Sequence, residues 1–258
     1  LADTRRFIDA NQDLEKPIKS LIRQLIQKEF NRLGWEQKKD EEIQDIKLRG
    51  IIISLGIYAE DQAIIDGAIS RYTNSKDAVA DLPSELRDVI LGAAIRHDVP
   101  GAFDHLLQIE ETTSNVDLKL DVIGALTTTK DQRHIDILLE RLQDNTKVRP
   151  QDLVRWVALL LRNRYSREAI WQWLRESWSW IEKTFDGDKS YDYFPRYVAN
   201  TFNTRKLLDE YIAFFELLKN NVALERNITM GIEELQNRIA WLERDHQAVE
   251  LYLSTYID

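Results

Sequence analysis

At 258 residues the chain is near the upper size of a single hydrophobic core, roughly 250 to 300 residues, so one elongated array or two domains both fit its length. A net charge of -9 argues against nucleic acid as a general partner, because phosphate binding needs Lys and Arg clustered on one face, and a mean hydropathy of -0.42 with no long apolar run excludes a membrane span. The absence of cysteine removes disulfides, thiolate metal sites and thiol nucleophiles together, and points to a reducing, cytoplasmic setting.

Ile18, Leu21, Ile22, Leu25, Ile26 and Phe30 keep a helical period that ends at Leu33-Gly34, where glycine can take the left-handed conformation that stops a helix. Pro17 suits the first turn of that helix. A charged stretch, Glu36 to Glu42, follows. From Ile43 a unit of helix, small-residue notch and second helix recurs: Leu55-Gly56, Leu91-Gly92, Ile123-Gly124 and Val157-Ala158 mark the notch, 36, 32 and 34 residues apart. Each is followed by a polar turn: Glu60-Asp61, His97-Asp98, Lys130-Asp131 and Tyr165-Ser166. The recurrence predicts helical hairpins over 43–74, 83–111, 115–142 and 150–185, with Pro83, Pro100 and Pro150 at helix starts, where a missing N–H costs nothing. A notch at a fixed point of each repeat predicts close helix approach at Gly92 and Gly124.

Asp186-Gly187-Asp188 is read as the end of the fourth hairpin. Tyr191 to Phe202, Thr204 to Asn220, Leu224 to Arg244 and His246 to Ile257 then read as four helices of a terminal bundle, with Tyr211, Phe214, Phe215 and Leu218 on one face of the second. No segment alternates with period two long enough to be a strand. The expected fold is therefore all-α: a HEAT/armadillo-like superhelix (1–42 leading helix and loop, 43–185 four hairpins) closed by a small bundle (186–258), as one domain of a longer chain, since Leu1 replaces an initiator Met.

Catalytic motifs fail in turn. None of His97, His105, His134 and His246 is followed by Glu, so a His-Glu-x-x-His zinc site cannot be built. Asp186, Asp188, Ser190 and Asp192 imitate the opening of a calcium loop, but Tyr191 stands where the turn glycine belongs and Tyr197 where the bidentate Glu belongs. There is no Gly-rich phosphate loop and no Gly-x-Ser-x-Gly elbow. Two features suggest binding instead. Residues 147–176 carry a local charge of +4, including Arg162 and Arg164. Trp171, Trp173, Trp178 and Trp180 fall on more than one helix face, so that some pack in the core and others are free to line a concavity.

Leu33-Gly34-Trp35 with Leu48-Arg49, Leu82-Pro83 with Leu86-Arg87, Phe202-Asn203-Thr204, Phe214-Phe215, the run Arg226 to Glu233, and Ile239-Ala240-Trp241-Leu242 together resemble the C-terminal helical domain of the aminopeptidase N type zinc aminopeptidases, the gluzincins that include the endoplasmic-reticulum and puromycin-sensitive enzymes. One departure is the tryptophan-rich segment, which lacks the Asn that many relatives carry. The resemblance implies a bowl of helices lying over a zinc site held by a separate catalytic domain, with that domain and the N-terminal domain as partners, peptides as substrates, and no cofactor on this piece. A peptide shortened from one end presents a carboxylate at the other, which arginine binds with two parallel hydrogen bonds. Arg196, in the aromatic helix of Tyr193, Phe194 and Tyr197, is the first candidate, with Arg162, Arg164 and Tyr193 beside it. The alternative is a free-standing helical scaffold for a protein partner; an independent hydrolase ranks third.

Overall fold

A computed structural model describes residues 3–9, 11–185 and 189–256. It is about 80% helical, with no strand among the described residues. The break expected at residues 186–188, and with it the first half of the calcium-like segment, lies outside the described residues. Contacts divide the chain into two compact units: residues 1–8, 12–129 and 248–258, and residues 9–11 and 130–247.

The first unit holds α1 (Glu15–Leu33), α2 (Ile43–Tyr58), α3 (Gln62–Asn74), α4 (Ser84–Arg96), α5 (Ala102–Thr112) and α6 (Val116–Leu126). The first helices of successive pairs stack directly, α2 on α4 and α4 on α6, while α3 packs on α4 and α5 on α6. Ile53, Ile90, Leu91, Leu106 and Val122 are wholly buried in this stack. Gly34 takes a φ of 61° and its N–H bonds the Phe30 carbonyl at 2.8 Å, ending α1 where the sequence places the stop. Not every apolar position of α1 faces inward, since Leu25 is exposed.

The first two polar turns are built alike. Glu60 and Asp98 both adopt a positive φ, 57° and 50°. The next residue then reaches back into the helix: Asp61 N–H bonds Gly56 O and Val99 N–H bonds Ala94 O, each at 3.0 Å. This six-to-one closure satisfies a carbonyl the helix would otherwise leave without a partner. Asp61 also caps α3 by accepting from Ile64 N–H at 3.2 Å. α6 ends differently, through hydroxyls: Thr127 Oγ1 donates to Gly124 O (2.9 Å) and Thr128 Oγ1 lies within hydrogen-bond distance of Ala125 O (2.7 Å) and of Gly92 O on α4 (3.2 Å).

The glycines correct the notch expectation. A Cβ on Gly124 would meet nothing within 4 Å, and one on Gly92 would meet only Thr128, at 3.8 Å. Both close approaches predicted there are absent, because at Gly92 and Gly124 the small residue faces a threonine or open space rather than a helix backbone. The tight positions are others. A Cβ on Gly56 would overlap Ile64 Cδ1, and one on Gly50 would stand 2.8 Å from the Glu85 carbonyl.

Residues 34–42 are pinned to this stack. Trp35 lies edge-on to Phe30 with ring centroids 6.4 Å apart, Arg71 covers its face at 4.2 Å, and the ring fills the space left by Gly67. Arg49, 2% exposed, pairs with Glu41 at 2.5 Å and holds that carboxyl below the usual carboxylate range. Arg87, 6% exposed, pairs with Asp121 at 2.7 Å and bonds Ala80 O at 3.1 Å.

The second unit holds α7 (Gln132–Arg141), α8 (Pro150–Arg162), α9 (Arg167–Glu176), α10 (Trp178–Thr184), α11 (Phe194–Thr201), α12 (Arg205–Phe215) and the greater part of α13 (Val222–Leu253). The break expected between Arg244 and His246 does not occur: α13 is one helix of 32 residues. The reason is local, since Arg244-Asp245-His246 contains neither Gly nor Pro and the Arg244–Asp245 ion pair forms without leaving the helix. Trp171 and Trp178, both buried, pack edge-to-face on Phe214, and Trp171 also on Phe202 at 5.4 Å. Trp173 and Trp180 form a second, half-buried pair 6.3 Å apart.

Two predictions follow from this packing. Gly56→Ala should destabilise the chain by about 1–3 kcal/mol through overpacking, whereas Gly124→Ala should stabilise it by about 0.5–1 kcal/mol, the helix-propensity gain where nothing clashes; denaturant melts of the two variants check both signs. The second concerns pH. The buried Tyr72 hydroxyl, its pKa pushed up to about 12 by burial, lies 2.9 Å from His105 Nδ1. Burial lowers the His105 pKa, the Lys76 charge adds to that and Asp77 opposes it. Folding therefore favours neutral His105: its contribution is whole above the unfolded value of 6.5 and is lost as pH falls from there to the lowered native value. His105→Gln should flatten that limb of a stability-against-pH curve.

Candidate functional site

The sequence candidates all fall in the second unit, but they do not form one cluster. Arg162 is exposed at the last position of α8 and shares a face with the exposed Arg155, seven residues earlier. Arg164, in the turn after α8, stacks on Tyr165 with its guanidinium 5.1 Å from the ring centroid. The remaining charges of the basic segment are largely taken up: Arg149 pairs with Asp152 at 2.9 Å, Arg175 lies over Trp171, and Arg167 pairs with Asp9 at 2.7 Å. Tyr193, 56% exposed, closes the 3-10 turn that leads into α11.

Arg196 is placed differently. Its helix is short, begins with Pro195 in its first turn, and packs on α8 and α12. Residues 227, 230, 231, 234 and 238 of α13 recur at helical spacing and form a polar seam against the chain leading through α11. Asn227 Nδ2 donates to Asp192 O at 2.9 Å, and Arg238 Nη1 donates to Ala199 O at 2.5 Å and Phe202 O at 2.9 Å. Between them, Arg196 Nη2 pairs with Glu234 Oε1 at 2.5 Å and its Nη1 points at Met230 Sδ at 3.4 Å. A charge within an aromatic helix needs a wet cavity or a partner, and the partner is Glu234.

The seam has a fourth member that sequence reasoning placed on an apolar face. Tyr211 of α12 is wholly buried, its ring tilted against Phe215 with centroids 4.6 Å apart, and its hydroxyl occupies the space a Cβ on Gly231 would fill. Burial pushes its phenol above the ordinary range, with Arg196 pulling down and Glu234 pushing up. Only the pairing of Tyr211 with a glycine in the middle of a helix could have signalled this contact, and the two stand 20 residues apart in sequence.

Asn203 and Thr204 complete the junction. Asn203 Nδ2, 6% exposed as a residue, donates to Asp9 Oδ2 at 2.6 Å, and Thr204 caps α12 by accepting from Leu207 N–H at 3.4 Å. Among the described residues no group of three or more His, Cys, Asp or Glu side chains is placed to hold a metal ion.

Comparison with known proteins gives this arrangement its setting. The ERAP1-like C-terminal domain family matches residues 1–237. The chain therefore belongs to that family. Aminopeptidase N of Lactococcus lactis subsp. lactis is 32% identical over 99% of the chain, which covers 30% of that protein. Aminopeptidase N of Lactobacillus helveticus is 31% identical over 100% of the chain and 31% of that protein, and aminopeptidase M1-D of Oryza sativa subsp. japonica is 27% identical over 95% of the chain and 28% of that protein. The chain thus spans about 30% of the length of these relatives.

The contact between Tyr211 and Gly231 yields a prediction. Gly231→Ala should destabilise the chain by about 1–3 kcal/mol, since the new methyl overlaps the Tyr211 hydroxyl and approaches Ala199 Cβ at 3.2 Å. The cost should be smaller in a Tyr211→Phe background, and a double-mutant cycle by chemical denaturation measures the coupling.

Proposed function

We propose that this chain is the non-catalytic C-terminal domain of a zinc aminopeptidase, covering the active-site chamber and holding the distal part of peptide substrates. The observation that carries the reading is the family match over residues 1–237, joined to relatives named aminopeptidase in which this chain corresponds to under a third of the length. The zinc and the peptide-bond chemistry then belong to the remaining portion of such a parent chain, whose N-terminal and catalytic domains are this domain's partners. The donor set here agrees: no histidine is followed by glutamate, so the helix-borne zinc motif has no counterpart in this sequence. A cysteine-free composition fits a reducing, cytoplasmic enzyme. Family membership also favours this reading over a free-standing scaffold.

For the substrate's far carboxylate the candidates stay Arg196, Arg162, Arg164 and Tyr193. Arg196 keeps about a quarter of its side chain exposed, and its Nη1 group meets only the weak acceptor Met230 Sδ, so one edge of the guanidinium is available to a carboxylate while Glu234 fixes the other. Tyr193, one turn before it, offers an exposed phenol. Arg162, exposed at the end of α8, carries no ion pair or hydrogen bond among the described residues and is the freest cation of the three.

Two outcomes are expected. The 258-residue chain alone should hydrolyse no aminoacyl arylamide, with or without added zinc; turnover that survives repurification and disappears with a chelator overturns the non-catalytic assignment. In the whole parent enzyme, Arg196→Ala should lower kcat/KM for peptides of several residues by about ten- to hundred-fold, corresponding to about 1.5–3 kcal/mol for a charge-assisted hydrogen bond, and leave single-residue arylamides nearly unchanged. Equal losses on both substrate types would make Arg196 a structural ion-pair residue alone and move the carboxylate role to Arg162 or Arg164.

A further inference from the structure

We infer that Tyr211, Arg196 and Glu234 together bind one buried water in the seam between α11, α12 and α13. Three polar atoms there are buried without a hydrogen-bond partner among the described residues: Tyr211 Oη, Arg196 Nε and Glu234 Oε2. The last two are the atoms of the ion pair that the bond between Nη2 and Oε1 leaves unused. All three side chains belong to the seam between α11, α12 and α13. Tyr211 Oη lies on Gly231, which is the neighbour of Met230 and one turn from Glu234, and both members of the ion pair act electrostatically on the Tyr211 phenol.

The chemistry of the three atoms selects the ligand. Nε–H donates only, a carboxylate oxygen accepts only, and a phenol hydroxyl does either. What satisfies all three must accept from the guanidinium, donate to the carboxylate and exchange one bond with the hydroxyl. A cation would face the guanidinium and an anion the carboxylate, so the occupant is neutral. Water is the small neutral molecule with two donors and two acceptors, and three bonds is the usual number for a buried one. A larger polar solute would have to displace Tyr211, which is wholly buried. Gly231 is part of the device, because any side chain there would push the hydroxyl out of line.

The test is a crystal structure of the chain at a resolution that shows ordered water, joined to thermal melts of Tyr211→Phe. The expected result is a density peak roughly 2.6–3.2 Å from Tyr211 Oη, Arg196 Nε and Glu234 Oε2, and a lower melting midpoint for Tyr211→Phe, which removes one of the water's three partners. No peak at that position overturns the inference, whether the hydroxyl is found bonded directly to Glu234 or left without a partner. A higher midpoint for Tyr211→Phe also overturns it, since that is the behaviour of a buried hydroxyl relieved of an unmet bond. The crystal structure decides the matter even if the variant does not fold.

Discussion

Helices leave carbonyls without intrahelical partners at every C-terminal end, and a chain with 13 α-helices among the described residues must satisfy those groups or lose the fold. Arginine does much of this here. Arg23 donates to Ala59 O, Arg49 to Leu33 O, Arg87 to Ala80 O, Arg167 to Leu161 O, and Arg238 to both Ala199 O and Phe202 O. Each of these carbonyls lies in the last turn of an α-helix or 3-10 helix, or just beyond it. Several of the same guanidiniums also hold a carboxylate: Arg49 takes Glu41, Arg87 takes Asp121 and Arg167 takes Asp9. A planar fork of five donors is suited to serving a carbonyl and a carboxylate at once, which an ammonium on a flexible stem does less well. The helices are thus tied end to neighbour by side chains where backbone ladders stop.

This use of arginine changes how the charge of the chain is to be read. The locally basic stretch of residues 147–176 is no continuous cationic face: part of it is consumed by helix ends, by ion pairs and by aromatic rings. Arg155 and Arg162 share an exposed face of α8 and carry no ion pair or hydrogen bond among the described residues. The polar seam of α13 follows the same logic with one difference. Arg238 donates to two helix-end carbonyls, whereas Arg196 meets a carboxylate on one nitrogen and a thioether, a weak acceptor, on another.

The helices were legible from the sequence because their signals are local. Apolar period, proline at helix starts and polar turns such as Glu60-Asp61 act within a few residues, so individual helices form where those signals stand, although the last stretch, read as one helix to residue 185, divides into α9 and α10 at Ser177. The resemblance residues were legible for a different reason. Arg49, Arg87, Phe202, Asn203 and Thr204 are the struts, packing anchor and cap described above, so a recognisable string of residues coincides with the places where the fold is tied. What sequence could not supply was the opposite face of each contact. Gly124 reads like Gly56, yet one faces open space and the other an isoleucine methyl. Tyr211 reads like its aromatic neighbours, yet its hydroxyl sits on Gly231 beside an ion pair. The break placed before His246 failed because a change of composition is not a helix stop when no Gly or Pro accompanies it.

The central claim is that arginines at helix ends hold this fold while the exposed arginines of α8 do not. The most direct measurement compares the thermal stability of Arg238→Lys with that of Arg162→Lys, since both keep the charge but only the first removes a guanidinium that donates to two helix-end carbonyls. The account predicts a clearly lowered midpoint for Arg238→Lys and an unchanged one for Arg162→Lys. Equal midpoints in the two variants would contradict it.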